Sequence, residues 1–315
     1  MTYVKNLPEF IHELSKLRKR TAGGELLFRG HRSKKYKAEP SVFRSRAWRK
    51  NEHTMLRQVL AQHPTEFAQD TSTFELLARA QHYGLPTRLL DITSNPLVAL
   101  YFACAPSEKQ NESRPPPEPN GNPRAPRPTG EVVVFFPDNL RKRFFDSEVV
   151  AALCNLTYLD GDAKQEIRKH LLTCYEKAKT NTTTPQALDD MFTKQFNNHP
   201  SVRELVRLVR KDNSSVGDSI RPRDLADIVM VLPRRLDKRI AAQSGAFLVY
   251  GLFNPESDET KFNFLFESFD TEELYISPKH KGGIMAELNS IGVNKETLFP
   301  SLERTADKIK AGQRV

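Results

Sequence analysis

The chemically loaded stretch of this 315-residue chain runs Gln81-His82-Tyr83-Gly84-Leu85-Pro86-Thr87-Arg88-Leu89-Leu90-Asp91 and continues to Asn95. It sets Gln, His, Thr, Arg and Asp among residues otherwise built for burial, and polar groups in such surroundings must be paired with something. Two readings stay open. In one, Asp91 and Asn95 satisfy loop amides while Arg88 pairs with a buried carboxylate. In the other, these groups line a pocket at a strand end, with His82 arriving from the preceding helix; His82 is then a catalytic or ligand-positioning candidate, and Asp91 a candidate to stabilise developing positive charge. Phe28-Arg29-Gly30 forms a second centre. A guanidinium at a strand end clamps an anion through two parallel charge-assisted hydrogen bonds, and a glycine beside it lets a ligand approach the backbone. Thr87 and Arg88 join Arg29 and Gly30 as candidate ligand-binding residues. A third group, Gln243 and Gly245 within Arg239–Phe247, stands just before a strand, from which Gln243 can reach a neighbouring pocket. Glu267, on the alternation Asn263, Leu265, Glu267, is a further carboxylate.

Several chemistries have no support. No phosphate-binding Gly-x-x-x-x-Gly-Lys-Ser/Thr loop, Gly-x-Gly-x-x-Gly fingerprint or Gly-x-Ser-x-Gly elbow is present. The histidines show neither His-x-x-x-His nor His-Glu-x-x-His spacing, and Cys104, Cys154 and Cys174 are scattered, so no metal site is expected. Met1–Lys5 lacks the apolar core of a secretory signal and no apolar run is long enough to span a bilayer, so the expected location is the cytoplasm with no membrane partner. The net charge of +9 is unevenly spread: residues 1–50 carry fourteen Lys/Arg against four Asp/Glu. That surplus suggests a polyanion near Phe28-Arg29-Gly30, either a nucleotide or nucleic acid.

The elements that must position these residues follow from periodicity and stop signals. Pro8–Arg20 places Phe10, Ile11, Leu14 and Leu17 at helical spacing, and Glu25–Arg29 reads as a short strand ended by Gly30, with Arg29 on the face of Leu27. Helices are expected near 49–62 and 73–83. The second stops at Gly84, suited to a left-handed cap, followed by Leu85 and Pro86. Thr87–Ile92 is then a strand, and Asn95-Pro96 starts a helix whose Leu97–Ala103 segment is apolar almost all round.

Residues 106–130 hold eight of the 21 prolines and read as a disordered linker. Residues 131–146 supply a core strand and a connection. Residues 147–212 are patterned only as helix, and Arg203, Arg207 and Arg210 share one side of the last of these. Strands return at 227–232, 246–251, 262–267 and 273–277, with closing helices near 279–290 and 301–311. The expected architecture is α+β: a mixed β-sheet core with flanking helices, its two parts at 1–105 and 213–315, plus a helical insert.

Phe28-Arg29-Gly30, Gln81 through Phe102 and Arg239 through Phe247, in that order, resemble the FRG-domain family, as does Gly292–Leu302 with Leu298-Phe299-Pro300. The resemblance implies a bacterial defence or toxin setting and brings no settled reaction with it. More distantly, an Arg-Gly ending an early strand, followed by a polar strand feeding a helix with Ala99 and Phe102, resembles the arginine-serine-glutamate ADP-ribosyltransferases. That likeness implies an ADP-ribosyltransferase-like core with NAD as substrate, an arginine on the NAD phosphates and a late acidic residue at the oxocarbenium-like centre. Here Asp91-Ile92-Thr93 stands in place of Ser-Thr-Ser, and Gln243-Ser244-Gly245 in place of Glu-x-Glu. The function so implied is nucleotide handling, by ADP-ribosyl transfer or NAD cleavage, with Arg29 on phosphate, Arg88 or His82 positioning the ligand, and Asp91 with Gln243 facing the developing charge. The alternative is a nucleic-acid-binding module using the basic N-terminal region.

Overall fold

A computed structural model describes residues 1–21, 25–106, 128–136, 141–181, 184–234, 241–253 and 270–300. Most of the proline-rich segment, the expected strand at 262–267 with Glu267, and the expected helix at 301–311 lie outside these residues. The described chain is α+β, built on one eight-stranded mixed sheet. The strands are β1 (Thr2–Val4), β2 (Leu27–His31), β3 (Leu89–Thr93), β4 (Gly130–Phe135), β5 (Arg141–Phe144), β6 (Ile228–Leu232), β7 (Gly245–Tyr250) and β8 (Thr271–Ile276). Their order is β1-β8-β4-β2-β3-β7-β6-β5, with parallel pairs at the two edges and antiparallel pairs between.

The pairing register decides which side chains share a face, because directly opposed residues point the same way. Phe28 opposes both Thr93 and Val134, and Asp91 opposes Phe247. One face of the sheet therefore carries two apolar clusters. Over the β2-β4-β8 half, Phe28, Val132, Val134 and Ile276 pack under α1 (Leu7–Arg18), α4 (Pro96–Cys104) and α10 (Lys281–Ser290). Over the β3-β7-β6 half, Leu89, Phe247, Val249 and Val229 meet α3 (Thr73–His82) and the helices α5 (Glu148–Asn155), α6 (Gly161–Asn181), α7 (Pro185–Phe196) and α8 (Pro200–Asp212). The opposite face holds a smaller cluster, Leu27, Leu90, Ile92, Val133 and Leu248, against Ala38 and Phe43.

Local signals explain most boundaries. Asn6, Ser72 and Asn95 cap α1, α3 and α4 through their side chains, and Pro96 occupies the first turn of α4. α3 ends where Gly84 takes φ +90°, and the Leu85 amide turns back to the Ala80 carbonyl. β2 does not end at Gly30, as its sequence suggests, but runs on through His31, paired residue for residue with β4. The elements that local pattern does not reveal are the edge strands β1 and β5 and the short helices α9 (Pro222–Ala226) and α11 (Lys295–Leu298). No helix among the described residues is long and apolar enough to cross a membrane.

Candidate functional site

The sheet parts at its centre. β2 and β3 share one register pair, Phe28↔Thr93, whereas each makes five with its other neighbour. Continued antiparallel pairing would set Gly30 opposite Asp91. Instead the Arg29 guanidinium reaches into the gap, donates from Nη1 to the Asp91 carbonyl, and lies 3.8 Å from the Asp91 carboxylate. The parted strands form the floor of a cavity of about 250 Å³, walled by α3 through Gln81 and His82 and by α4 through Val98 and Phe102.

Arg29 is held from behind. Its Nε donates to His31 Nε2 at 3.0 Å, which requires the lone pair on that nitrogen, and His31 Nδ1 meets Glu131 Oε2 at 3.1 Å. His31 and Glu131 are a directly opposed cross-strand pair, both buried. Burial lowers the His31 pKa, and the nearby Arg29 charge acts in the same direction, against the Glu131 hydrogen bond and charge. Burial also lowers the Arg29 pKa, with the Asp91 charge opposing it; a guanidinium nonetheless stays protonated in proteins. The result is a Glu131–His31–Arg29 chain with a neutral imidazole in the middle.

A titration consequence follows. Because the folded-state pKa of His31 is depressed, its contribution to stability is fully present above the ordinary value of about 6.5 and is lost as pH falls through the folded value. The urea midpoint of the wild type should drop below that pH more than the midpoint of His31→Gln. Parallel pH profiles for the two proteins would contradict this.

Asp91 is 63% exposed at its side chain, against 19% for Arg29, and so presents its carboxylate to the opening. Gln81 Nε2 donates to Asp91 Oδ2 at 2.7 Å, and the Gln81 amide is oriented in turn by the Thr87 hydroxyl, which donates to Gln81 Oε1. His82 stacks on Tyr83 with ring centroids 5.5 Å apart. Gln243 lines the far wall, its Nε2 bonded to the Leu298 carbonyl at 3.0 Å, while its own carbonyl accepts from Thr93 Oγ1 at 2.7 Å. Ser244, beside it, has φ +47°, in the left-handed region.

Of the residues the sequence singles out, Arg29, Gly30, His82, Asp91 and Gln243 line this one cleft. Thr87 is fully buried and acts through Gln81 rather than facing the opening. Arg88 is elsewhere: its guanidinium is 3% exposed and forms a bidentate pair with Glu52, the buried-carboxylate arrangement, and it borders a second cavity. Gly30 admits not a ligand but a helix, since an added Cβ would lie 1.9 Å from the Ala99 carbonyl oxygen of α4. Residues that sequence reasoning did not single out as site candidates are Gln81, Phe102, His31 and Glu131. Gln81 sat within the polar run; nothing local tied His31 to Glu131, one hundred positions away. Among the described residues no group of His, Cys, Asp and Glu is arranged to hold a metal ion.

Comparison with curated proteins and with solved structures returned no match. A family model matches residues 24–112, which supply both parted strands and the α3 and α4 walls of the cleft. The Arg239–Phe247 and Gly292–Leu302 blocks lie outside the matched stretch. Over residues 24–112 the chain carries an FRG domain.

Proposed function

We propose that the cleft binds a nucleotide of the NAD kind and cleaves its glycosidic bond, by hydrolysis or by ADP-ribosyl transfer. The observation that carries this reading is the convergence of a fixed cation, Arg29, and an exposed carboxylate, Asp91, at the same break in the sheet. Arg29 suits a phosphate oxygen, because its Nε is committed to His31 and its fork is thereby pre-oriented. Asp91, held by Gln81, suits the positive charge that grows on the ribose carbon as the bond to nicotinamide lengthens. In the hydrolytic form water adds to that carbon, nicotinamide leaves with the bonding pair, and one proton is released. Phe102, only partly buried, offers apolar surface for a base or ring.

The test is nicotinamide release from NAD by the purified protein. Arg29→Ala and Asp91→Asn are each expected to lower it by about 10²-fold or more while the circular dichroism spectrum stays that of the wild type. Release by a folded Arg29→Ala protein at the wild-type rate, or none by the wild type, would sink the proposal.

A further inference from the structure

A second cavity, of about 400 Å³, lies where the FRG domain meets the inserted helices. Among the described residues six cations border it, Arg46, Arg49, Lys50, Arg88, Lys164 and Arg168, and two carboxylates, Glu52 and Asp162. Glu52 is fully engaged: it takes both Arg88 contacts, at 2.9 and 2.6 Å, Lys164 Nζ at 2.6 Å and the Thr157 hydroxyl at 2.8 Å. Its single negative charge offsets one of the two cations it holds, Arg88 and Lys164.

An ordinary solvated basic face does not account for this arrangement. The six side chains come from α2 (Arg46–Gln62), the residue before β3, and α6, and they converge on a concavity instead of spreading along one helix. On α2 the three cations fall at i, i+3 and i+4, on one side; on α6 Lys164 and Arg168 are four apart. Several are held in place. Arg49 donates to the Leu252 carbonyl at 3.2 Å and lies over the Phe43 ring, and Arg168 lies over Phe253. Gly161, at the start of α6, lets that helix approach Lys50, whose Cγ would sit 3.0 Å from an added Cβ. Lys164 is only 11% exposed, and burial lowers its pKa, with the Arg88 and Arg49 charges adding to that effect and Glu52 opposing it. So many like charges in one partly enclosed space repel strongly at low effective dielectric, and an anion of matching charge relieves that repulsion.

We propose that this cavity is a binding site for a compact polyphosphate anion, distinct from the Arg29 cleft, and that the ligand bridges the FRG domain and the inserted helices. The volume is that of a small-molecule pocket, and the charge calls for several phosphates on one ligand.

Inorganic tripolyphosphate is the probe, titrated calorimetrically into the whole chain. Binding is expected at low ionic strength and should weaken as salt rises. The exposed pair Arg46→Gln/Lys50→Gln should bind roughly tenfold or more weakly with an unchanged melting temperature in the absence of ligand, while Arg29→Ala should keep the binding that depends on Arg46 and Lys50. Absence of binding by the wild type overturns the proposal. So does loss of binding in Arg29→Ala with retention in the Arg46/Lys50 variant, which would move the anion to the other cleft. Displacement of tripolyphosphate by short single-stranded RNA, dependent on Arg46 and Lys50, would reassign the surface to nucleic acid and equally overturn it.

Discussion

Arg88→Met is expected to destabilise the protein by about 3–5 kcal/mol, read from urea denaturation near neutral pH. The guanidinium and its partner Glu52 are each only 3% exposed, and Arg88 also donates to the Tyr250 and Gly251 carbonyls at 3.1 and 3.3 Å. Removing it leaves Glu52 with Lys164 and Thr157 alone and deprives two buried carbonyls of a donor. Methionine restores much of the volume, so the loss measures the orphaned charge more than a void. Burial pushes the Glu52 pKa up, but Arg88 and Lys164 together outweigh it and hold the carboxyl well below its ordinary range. A carboxyl depressed in the folded state contributes stability above its unfolded pKa and loses that contribution as pH falls through the folded value. The penalty of Arg88→Met should therefore be largest at neutral pH and shrink in acid. Adding Glu52→Gln to Arg88→Met should recover part of the loss, because the uncompensated charge goes too. A single-variant cost below about 1 kcal/mol, the range of exposed pairs, would show that solvent reaches this pair.

That pair also marks how far the sequence could be read. A buried carboxylate partner for Arg88 was one of two readings the sequence left open, beside the ligand-binding role that the structure does not give it; the partner's identity was not legible, because Glu52 lies thirty-six positions away on a helix with no local sign of the contact. The same division holds across the fold. The α3 stop at Gly84, the Asn95-Pro96 start of α4 and the helices α5 to α8 declare themselves locally, through capping chemistry and period. β1 and β5 do not: three and four residues long, they are strands because an edge was there to pair with. Arg141-Lys142-Arg143 falls in the stretch expected to be a connection after the core strand, yet it forms β5, and Arg141 is anchored by Asp224 and Asp227 from another part of the chain.

The candidate cleft divides likewise. Residue types nominated Arg29, His82, Asp91 and Gln243, and these do line one opening. What makes the opening is the near absence of pairing between β2 and β3, a property of two strands and of the helices bearing on them. Alternation correctly set Arg29 on the face of Leu27, away from the side on which α3 and α4 lie. Only the parting of the strands lets its guanidinium enter the cleft from there.

The helix that walls the cleft beside the parted strands is held close to β2 by one missing methyl group, and Gly30→Ala is expected to cost more than about 4 kcal/mol, enough to abolish a cooperative urea transition in a domain of ordinary stability. A Cβ on residue 30 would stand 1.9 Å from the Ala99 oxygen and 2.9 Å from the Ala103 nitrogen. Both atoms are α4 backbone, so no rotamer change relieves the overlap and the helix must move as a body. α4 is buried nearly all round by Val98, Ala99, Leu100, Tyr101 and Ala103, which leaves it nowhere to go without opening the core beneath α1 and α10. Gly283→Ala is the control: that residue lies within α10 with nothing within 4 Å of an added Cβ, and its replacement should be neutral or stabilise by about 0.5–1 kcal/mol through helix propensity. A Gly30→Ala protein within about 1 kcal/mol of the wild type would mean that α4 stands farther from β2, and the Val98 and Phe102 wall of the cleft would have to be redrawn. The expected collapse would instead assign the three residues of Phe28-Arg29-Gly30 separate tasks: Phe28 fills the core, Gly30 admits the helix, and Arg29 alone is left to meet a ligand.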